Sequence, residues 1–517
     1  MVDQQESDGG PVPSSSASAE QPSTVPAVVP GVPLCVDLDG TLVKSDTLVD
    51  SILLLARQQP RSPLSWFTWV RQGKAGFKRE ITSRAVVDVE HLPYNQPLLT
   101  FLREEHARGR QIYLATAADI GFARQVADHV GLFTDVLASD GSLNLAGANK
   151  LAAFQQRFPD GFSYIGNAIP DRTLLQASHE PMTANPHGKL RSAMRRDRVT
   201  AHREFLDRRS PLGALLKAIR IHQWAKNTLV FLPLLLAHNR NANVVGATVL
   251  AFLALSFCAS ATYILNDLLD IEADRRHPRK RNRPFAAGDL SPFTGVAIVA
   301  VFFVIAVTLA VLVPQVYHAL PGSMGLHELL AKPYRFLGWL GLYTVTTLTY
   351  SFYLKRLALV DVIVLSGLYT VRILAGSAAT DIDVSAWLAA FSIFFFLSLA
   401  FVKRFSELGL MVASNRTKAS GRGYGTGDLE QLRSFGSSSA FASVVVLTMY
   451  ISGLANVLYA HPSRLWLLVP VLILWLCRVW LLASRGELHE DPVVYAITDR
   501  TSWLLGAVSV GIVWASL

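Results

Sequence analysis

Asn266-Asp267-Leu268-Leu269-Asp270-Ile271-Glu272-Ala273-Asp274, followed at once by Arg275-Arg276-His277-Pro278-Arg279-Lys280-Arg281-Asn282-Arg283-Pro284, closes a long apolar run. Asp267, Asp270 and Asp274 fall at i, i+3 and i+7, which on a helix places three carboxylates on one face. Carboxylates that close repel one another unless a cation sits among them. Oxygen ligands with room for substrate phosphates suit Mg²⁺. The basic cluster just beyond offers donors for phosphate oxygens that a metal does not reach. The stretch therefore reads as a diphosphate-binding site at a membrane surface. A solvated helix end beside a positive-inside loop carries the same charges, but it does not need the acids on a common face.

The composition agrees with a membrane setting. Of 517 residues, 51% are hydrophobic and only 17% charged. The apolar excess lies after residue 225, where runs of about twenty apolar residues recur. The net charge of +9 fits basic loops beside an anionic inner leaflet better than nucleic-acid binding, so no nucleic-acid partner is expected. Cys35, Cys258 and Cys477 are too scattered for a metal site or a disulfide framework. Residues 1–30 are rich in Ser, Pro, Gln and Ala and show no secretory signal; they read as a disordered tail.

Nine candidate spans fall near 227–240, 246–267, 291–314, 335–354, 357–378, 384–403, 437–459, 464–483 and 501–517. If the soluble part faces the cytoplasm, even-numbered spans return there. Their ends then carry Arg275 to Arg283, Lys355-Arg356, Lys403-Arg404 and Arg485, as the positive-inside bias requires. The expected location is a multi-pass place in a bacterial inner membrane, with the N-terminal part cytoplasmic. Further polar candidates gather on the same side. Gln223, Lys226 and Asn227 share a helix face, while Trp224 suits an interfacial anchor. Tyr350 and Lys355 precede Asp361, and Arg372 lies three turns beyond it on the same face. Ionisable residues at such depth are expensive and so point to function, with a structural Asp361–Arg372 pair as the other reading. Gly421-Arg422-Gly423-Tyr424-Gly425 either lets backbone approach a ligand or is a flexible loop.

The chain before the spans has its own pattern. Leu34-Cys35-Val36 is a short apolar strand running into Asp37-Leu38-Asp39-Gly40-Thr41. Two carboxylates two residues apart at a strand end can divide nucleophilic and proton-transfer work. A second strand ends at Thr116, Lys150 opens a helix, and a third strand leads to Asn167 and Asp171. This series, over roughly 31 to 180, resembles the haloacid dehalogenase superfamily, whose fold is an α/β Rossmann-like domain with a helical cap. The resemblance implies Asp37 as nucleophile and Asp39 as general acid/base. It implies Thr116 and Lys150 as phosphate holders, and Asp37, Asp39 and Asp171 as Mg²⁺ ligands. Asn167 stands where that superfamily usually has an acid. The domain is expected over 31–185, with a cap at about 45–100 and a basic linker at 186–212. In the cap, Trp66, Phe67, Trp69 and Phe77 among Arg71, Lys74, Lys78 and Arg79 either rest on lipid headgroups or pack inward.

Residues 213–517 resemble the UbiA family of membrane transferases, an all-helical bundle of nine spans that uses Mg²⁺ to ionise a diphosphate. The carriers are Asn266-Asp267-x-x-Asp270-x-x-x-Asp274, the basic run to Arg283-Pro284, and the polar motif around Tyr350 and Lys355. Gln223-Trp224-x-Lys226-Asn227 and Arg372-x-x-Ala375-Gly376 point to the decaprenyl-phosphate phosphoribosyltransferase branch. In that branch the donor is phosphoribosyl diphosphate and the acceptor a polyprenyl phosphate. The resemblance implies that Asp267, Asp270 and Asp274 hold the metal, with Asp267, Asp270 and Asp361 catalytic. Lys226, Asn227, Asn266, Arg279, Lys280, Arg283, Tyr350, Lys355 and Arg372 are then expected to bind substrate. The N-terminal part is expected to remove the product's 5-phosphate. The alternative is transfer of a prenyl group from prenyl diphosphate to an aromatic acceptor.

Overall fold

The computed structural model describes residues 31–58, 69, 73–85, 87–140, 145–317, 334–413, 423–453, 459–488 and 491–517. The expected tail, Trp66, Phe67, Arg71, Gly421 and Arg422 lie outside these residues, as do the side chains of Lys74 and Arg79.

The N-terminal unit is built on a six-stranded parallel sheet in the order β3-β2-β1-β4-β5-β6. The strands are β1 (Leu34–Val36), β2 (Ile112–Asp119), β3 (Asp135–Ser139), β4 (Ser163–Gly166), β5 (Pro181–Ala184) and β6 (Arg203–Phe205). β1 sits between β2 and β4, with Leu34 opposite both Ile112 and Ser163. Side chains alternate across a strand. Thus Leu34 and Val36 join Ile112 and Leu114 in a core on one face, while Cys35 joins Tyr113 and Tyr164 in a core on the other. Burial on both faces explains the unbroken apolar run of β1. In a doubly wound sheet, ligands bind beyond the carboxyl ends of the strands. Asp37 and Asn167 each follow a strand end there.

One expectation about this unit changes and one open reading is narrowed. Residues 186–212 are not a bare linker. The helix Gly188–Arg196 buries Leu190, Ala193 and Met194, and β6 extends the sheet by pairing Met182 with Arg203. Three apolar residues on one face suffice because the sheet supplies the rest of the core; the surrounding arginines mask them in the sequence. Within the expected cap, Trp69 is buried and stacks under Arg84, and Phe77 packs on the same core. These two aromatics face inward, as the second reading allowed.

In the C-terminal half, six helices among the described residues are long and apolar enough to cross a membrane. They are Ala242–Leu269, Pro292–Val316, Val360–Thr380, Ala386–Val412, Thr426–Ser452 and Pro462–Ser484. Three other expected spans differ. The first is a 3₁₀ segment, Ile221–Phe231, running into the short helix Leu232–Leu236. At about 2.0 Å of rise per 3₁₀ residue the 3₁₀ segment alone still reaches about 22 Å. The helices Tyr334–Phe352 and Arg500–Ser516 are shorter, at 19 and 17 residues. Close helix approach rests on small residues: Ala247, Ala251, Ala254 and Ala259 line the buried side of Ala242–Leu269. On Pro292–Tyr317, Val296, Val301, Val304, Val307 and Val311 point outward, as a lipid-facing stripe requires.

The two halves touch at the acidic stretch. Arg57 of the helix Thr47–Gln58 pairs with Asp270, and Asp50 of that helix pairs with Arg275. Arg276 reaches Asp88 at 2.7 Å.

Candidate active site

Seven chain segments meet at one end of the bundle around a cavity of about 260 Å³. They are the 3₁₀ segment with Arg220 before it, the end of Ala242–Leu269, the basic loop at Lys280 and Arg283, the helix Tyr334–Phe352 with the turn after it, the helices Val360–Thr380 and Ala386–Ala413, and the chain around Pro492. Eight cationic side chains line it: Arg220, Lys226, Lys280, Arg283, Lys355, Arg372, Lys403 and Arg404. Among the described residues two carboxylates do so, Asp270 and Asp491. An excess of cations on that scale suits a strongly anionic ligand. The deeper wall is apolar and aromatic, with Leu365, Leu368, Leu399, Tyr343 and Tyr369.

The acidic stretch departs from the expected regular helix. The long helix stops at Leu269, Asp270 is a cap with φ −98° and ψ 8°, and a short helix, Ile271–Arg275, follows. The kink separates the trio. Arg283 Nη1 lies 3.0 Å from Asp267 Oδ1 and 2.6 Å from Asp274 Oδ2, and Arg220 also holds Asp267. Asp270 instead meets Arg57 at 2.9 Å and Lys355 at 3.4 Å, and accepts from Asn266 at 3.2 Å. Burial raises the Asp274 carboxyl, and Arg283 offsets part of that shift. As for a metal, the nitrogen of Arg283 already serves as a cation shared by Asp267 and Asp274. The pair therefore fits a common cation, with hard oxygen donors of the kind Mg²⁺ takes. Asp270 stands apart from that point, facing the cavity.

The other expected residues divide. Lys226, Asn266, Lys280, Arg283, Tyr350, Lys355 and Arg372 line the cavity with Asp270. Asn227 is buried behind it, donating to Ser256 and accepting from Arg372 Nε at 2.8 Å. Arg279 is exposed and outside the lining. Asp361 is fully buried and also lies outside the lining. It does not pair with Arg372: Arg404 Nε donates to one of its oxygens and the Tyr424 hydroxyl to the other. Trp224 is half-buried and donates to Ser260 inside the bundle.

Sequence reasoning missed Asp491. It bridges Lys226 at 2.8 Å and Lys403 at 2.7 Å and caps the helix Pro492–Thr498 through the Val493 amide. Burial acts to raise its carboxyl, but Lys403 and Lys226 outweigh burial and hold it well below the usual range. Its one local signal, Asp before Pro, also describes an ordinary helix start. Arg220 was missed as well; it stands just outside the motif on which attention fell.

In the N-terminal unit, Lys150 Nζ donates to Asp37 Oδ1 at 2.8 Å and to the Tyr164 hydroxyl at 3.1 Å. Tyr164 donates in turn to Asp171, whose other oxygen accepts from the amides of Asn167 and Ala168. Asp171 thus reaches Asp37 only through Tyr164 and Lys150. Asp39 accepts from the amide and hydroxyl of Thr47 at 2.8 and 2.7 Å. Thr116 is buried and accepts from the Ala118 amide. Gly40 has φ +75°, and a side-chain carbon there would lie 2.0 Å from Asn167 Nδ2. Asn167 therefore lies directly over the Asp37–Asp39 loop. Burial raises Asp37 to about 6, with Lys150 opposing, and raises Asp39 to about 7, with Asp46 adding to it.

Residues 228–505 match the UbiA prenyltransferase family. The chain belongs to the UbiA prenyltransferase family. It is an integral membrane transferase of that family, and the matched region includes the acidic stretch and most of the cavity lining. Among its relatives, the uncharacterized protein y4nM of Sinorhizobium fredii is 36% identical over 484 residues, covering 92% of this chain and 89% of the relative. An alignment that long takes in most of the N-terminal unit. The nodulation protein NoeC of Azorhizobium caulinodans is 32% identical over 295 residues, 56% of this chain and 89% of that protein. The decaprenyl-phosphate phosphoribosyltransferase of Mycobacterium tuberculosis is 35% identical over 204 residues, covering 38% of this chain and 61% of that protein.

Proposed function

We propose that this UbiA-family protein moves phosphoribosyl from phosphoribosyl diphosphate to a polyprenyl phosphate at the cytoplasmic face of a bacterial inner membrane. The observation that carries the reading is the cavity itself, with eight cations, two carboxylates and an apolar inner wall. A doubly anionic substrate pair needs such a surplus of positive charge. Likeness to a mycobacterial decaprenyl-phosphate phosphoribosyltransferase supports the choice of donor and acceptor.

Asp267 and Asp274, which already share one cation, are the residues that would hold Mg²⁺, and Asp270 faces the cavity beside them. When bound, the metal stabilises charge on the departing diphosphate as a Lewis acid. The chain's own groups do the remainder. Arg283, Lys280, Lys355 and Arg220 take phosphate oxygens through charge-assisted hydrogen bonds. Lys226 and Lys403, set by Asp491, flank the other side of the cavity. As the diphosphate leaves, C1 of the ribose gains positive character, and an oxygen of the lipid phosphate attacks it. That oxygen is already anionic, so no strong base is needed. Position and fixed charge supply the acceleration.

The N-terminal unit reads as a phosphatase of haloacid dehalogenase type, removing the 5-phosphate of the lipid-linked product. Asp37, poised on Lys150, is the nucleophile, and Asp39 moves the proton. Asp37, Asp39 and Asp171 are the expected Mg²⁺ ligands, although Asp171 already spends both oxygens on hydrogen bonds. Incubation of the intact chain with Mg²⁺, polyprenyl phosphate and phosphoribosyl diphosphate should yield a ribosylated lipid, read by mass spectrometry. A parallel arm with prenyl diphosphate and an aromatic acceptor tests the rival. Product in that arm alone rules out the phosphoribosyl reading.

A further inference from the structure

The helix Thr47–Gln58 lies in the N-terminal unit, yet one of its faces rests on the acidic stretch of the membrane half. Asp50, Leu53 and Arg57 fall at i, i+3 and i+7 and share that face. Arg57 Nη1 lies 2.9 Å from Asp270 Oδ1 and donates to the Leu269 carbonyl at 3.1 Å. That carbonyl is where the long helix stops, so the guanidinium also meets the negative end of a helix. Leu53 packs against a cluster that includes Ile264, Leu268, Ile271 and Phe285. Asp50 accepts from Arg275 at 2.8 Å, with both side chains only 4% exposed. The helix therefore grips the chain on both sides of Asp270, the one acid of the trio that lines the cavity.

We propose that Arg57 is a positioning residue of the transferase site, supplied by the N-terminal unit. It sets the Asp270 carboxylate, while Asp50–Arg275 and Leu53 hold the helix in place. The inference rests on the transferase reading of the cavity. Its physical basis is a ranking of contacts. The remaining partners of Asp270 are longer: Asn266 at 3.2 Å and Lys355 at 3.4 Å. Without Arg57 the carboxylate is free to close on Lys355, cancelling a cation needed for phosphate. Arg57 itself does not line the cavity, so it acts through Asp270. Transfer in the membrane half thus depends on the N-terminal unit, whether or not that unit hydrolyses anything.

The test uses the full chain in detergent and compares wild type with Arg57→Ala, Arg57→Lys and Leu53→Ala. KM and kcat for phosphoribosyl diphosphate, affinity for inorganic diphosphate by calorimetry, and melting temperature are measured on each. Arg57→Ala should raise KM and weaken diphosphate binding by about tenfold or more, with little change in melting temperature. Arg57→Lys should recover part of both, since one ammonium cannot serve the carboxylate and the carbonyl in the guanidinium's geometry. Leu53→Ala should lower the melting temperature more than Arg57→Ala does and weaken diphosphate binding less. Unchanged KM and affinity in Arg57→Ala overturn the proposal, as does a lower melting temperature with unchanged affinity. If wild type transfers nothing from phosphoribosyl diphosphate, the transferase reading fails. Diphosphate affinity then decides the role of Arg57 alone: weaker in Arg57→Ala sustains it, equal overturns it.

Discussion

Asp267 and Asp270 are three residues apart, yet different cations hold them: Arg220 and Arg283 for the first, Arg57 and Lys355 for the second. Both are needed if the site works as proposed. Asp267→Asn and Asp270→Asn should each lower transfer on the order of a thousandfold, several kcal/mol of lost charge stabilisation, as measured by initial rates at saturating Mg²⁺. Asp361 is a different case. It is fully buried against Arg404, which lines the cavity, while Asp361 itself lies behind that wall. Asp361→Asn should therefore cost about 1.5–3 kcal/mol of stability, because the buried Arg404 loses one charged partner and keeps Glu407. A drop in melting temperature, with activity retained per folded molecule, would mark it as structural. Asp491→Asn leaves Lys226 and Lys403 facing each other without their shared carboxylate. It should raise KM for the donor about tenfold, a loss near 1.4 kcal/mol, with a smaller change in kcat.

Among elements, the helix Val360–Thr380 and the 3₁₀ segment depend on each other. A side-chain carbon at Gly376 would lie 2.1 Å from the Val230 carbonyl oxygen. Gly376→Ala should push the two apart and cost about 1–3 kcal/mol. Thermal unfolding in detergent measures the cost directly. The same crossing carries Asn227, which sits against Arg372. Motif residues that looked like ligand contacts in sequence thus include some that hold one element to another. Spacing could place Asn227 and Lys226 near the site, but it could not say which of the neighbours would point inward. On a 3₁₀ segment the angular step differs from that of an α-helix, so the expected shared face does not survive.

For the whole molecule, the two candidate sites are joined by one helix. Thr47 at its start holds Asp39, and Arg57 near its end holds Asp270. Twelve residues at about 1.5 Å each make this strut about 18 Å long. A lipid-linked product would have little distance to travel between the sites, and tethering raises its effective concentration. Asp37→Asn in the full chain should leave ribosylation intact while the phosphorylated lipid accumulates and inorganic phosphate is not released. Mass spectrometry and a phosphate assay on the same incubation read both. Release of phosphate by that variant at the wild-type rate would separate the two halves chemically.

The order of polar and apolar residues by itself determined the two-part plan, the parallel sheet's central strand, most of the long helices and the placing of the acidic stretch at a helix end. These follow from local periods and strand-end motifs, which short stretches encode. The partners were decided only by the tertiary structure. Arg283 reaches back to Asp267, Asp361 turns to Arg404 rather than Arg372, Asp491 comes from far along the chain to two lysines, and Arg57 arrives from the other half. Charge pairs of this kind form wherever packing brings side chains within reach. Their sequence separation runs from tens to hundreds of residues, and no local pattern records it.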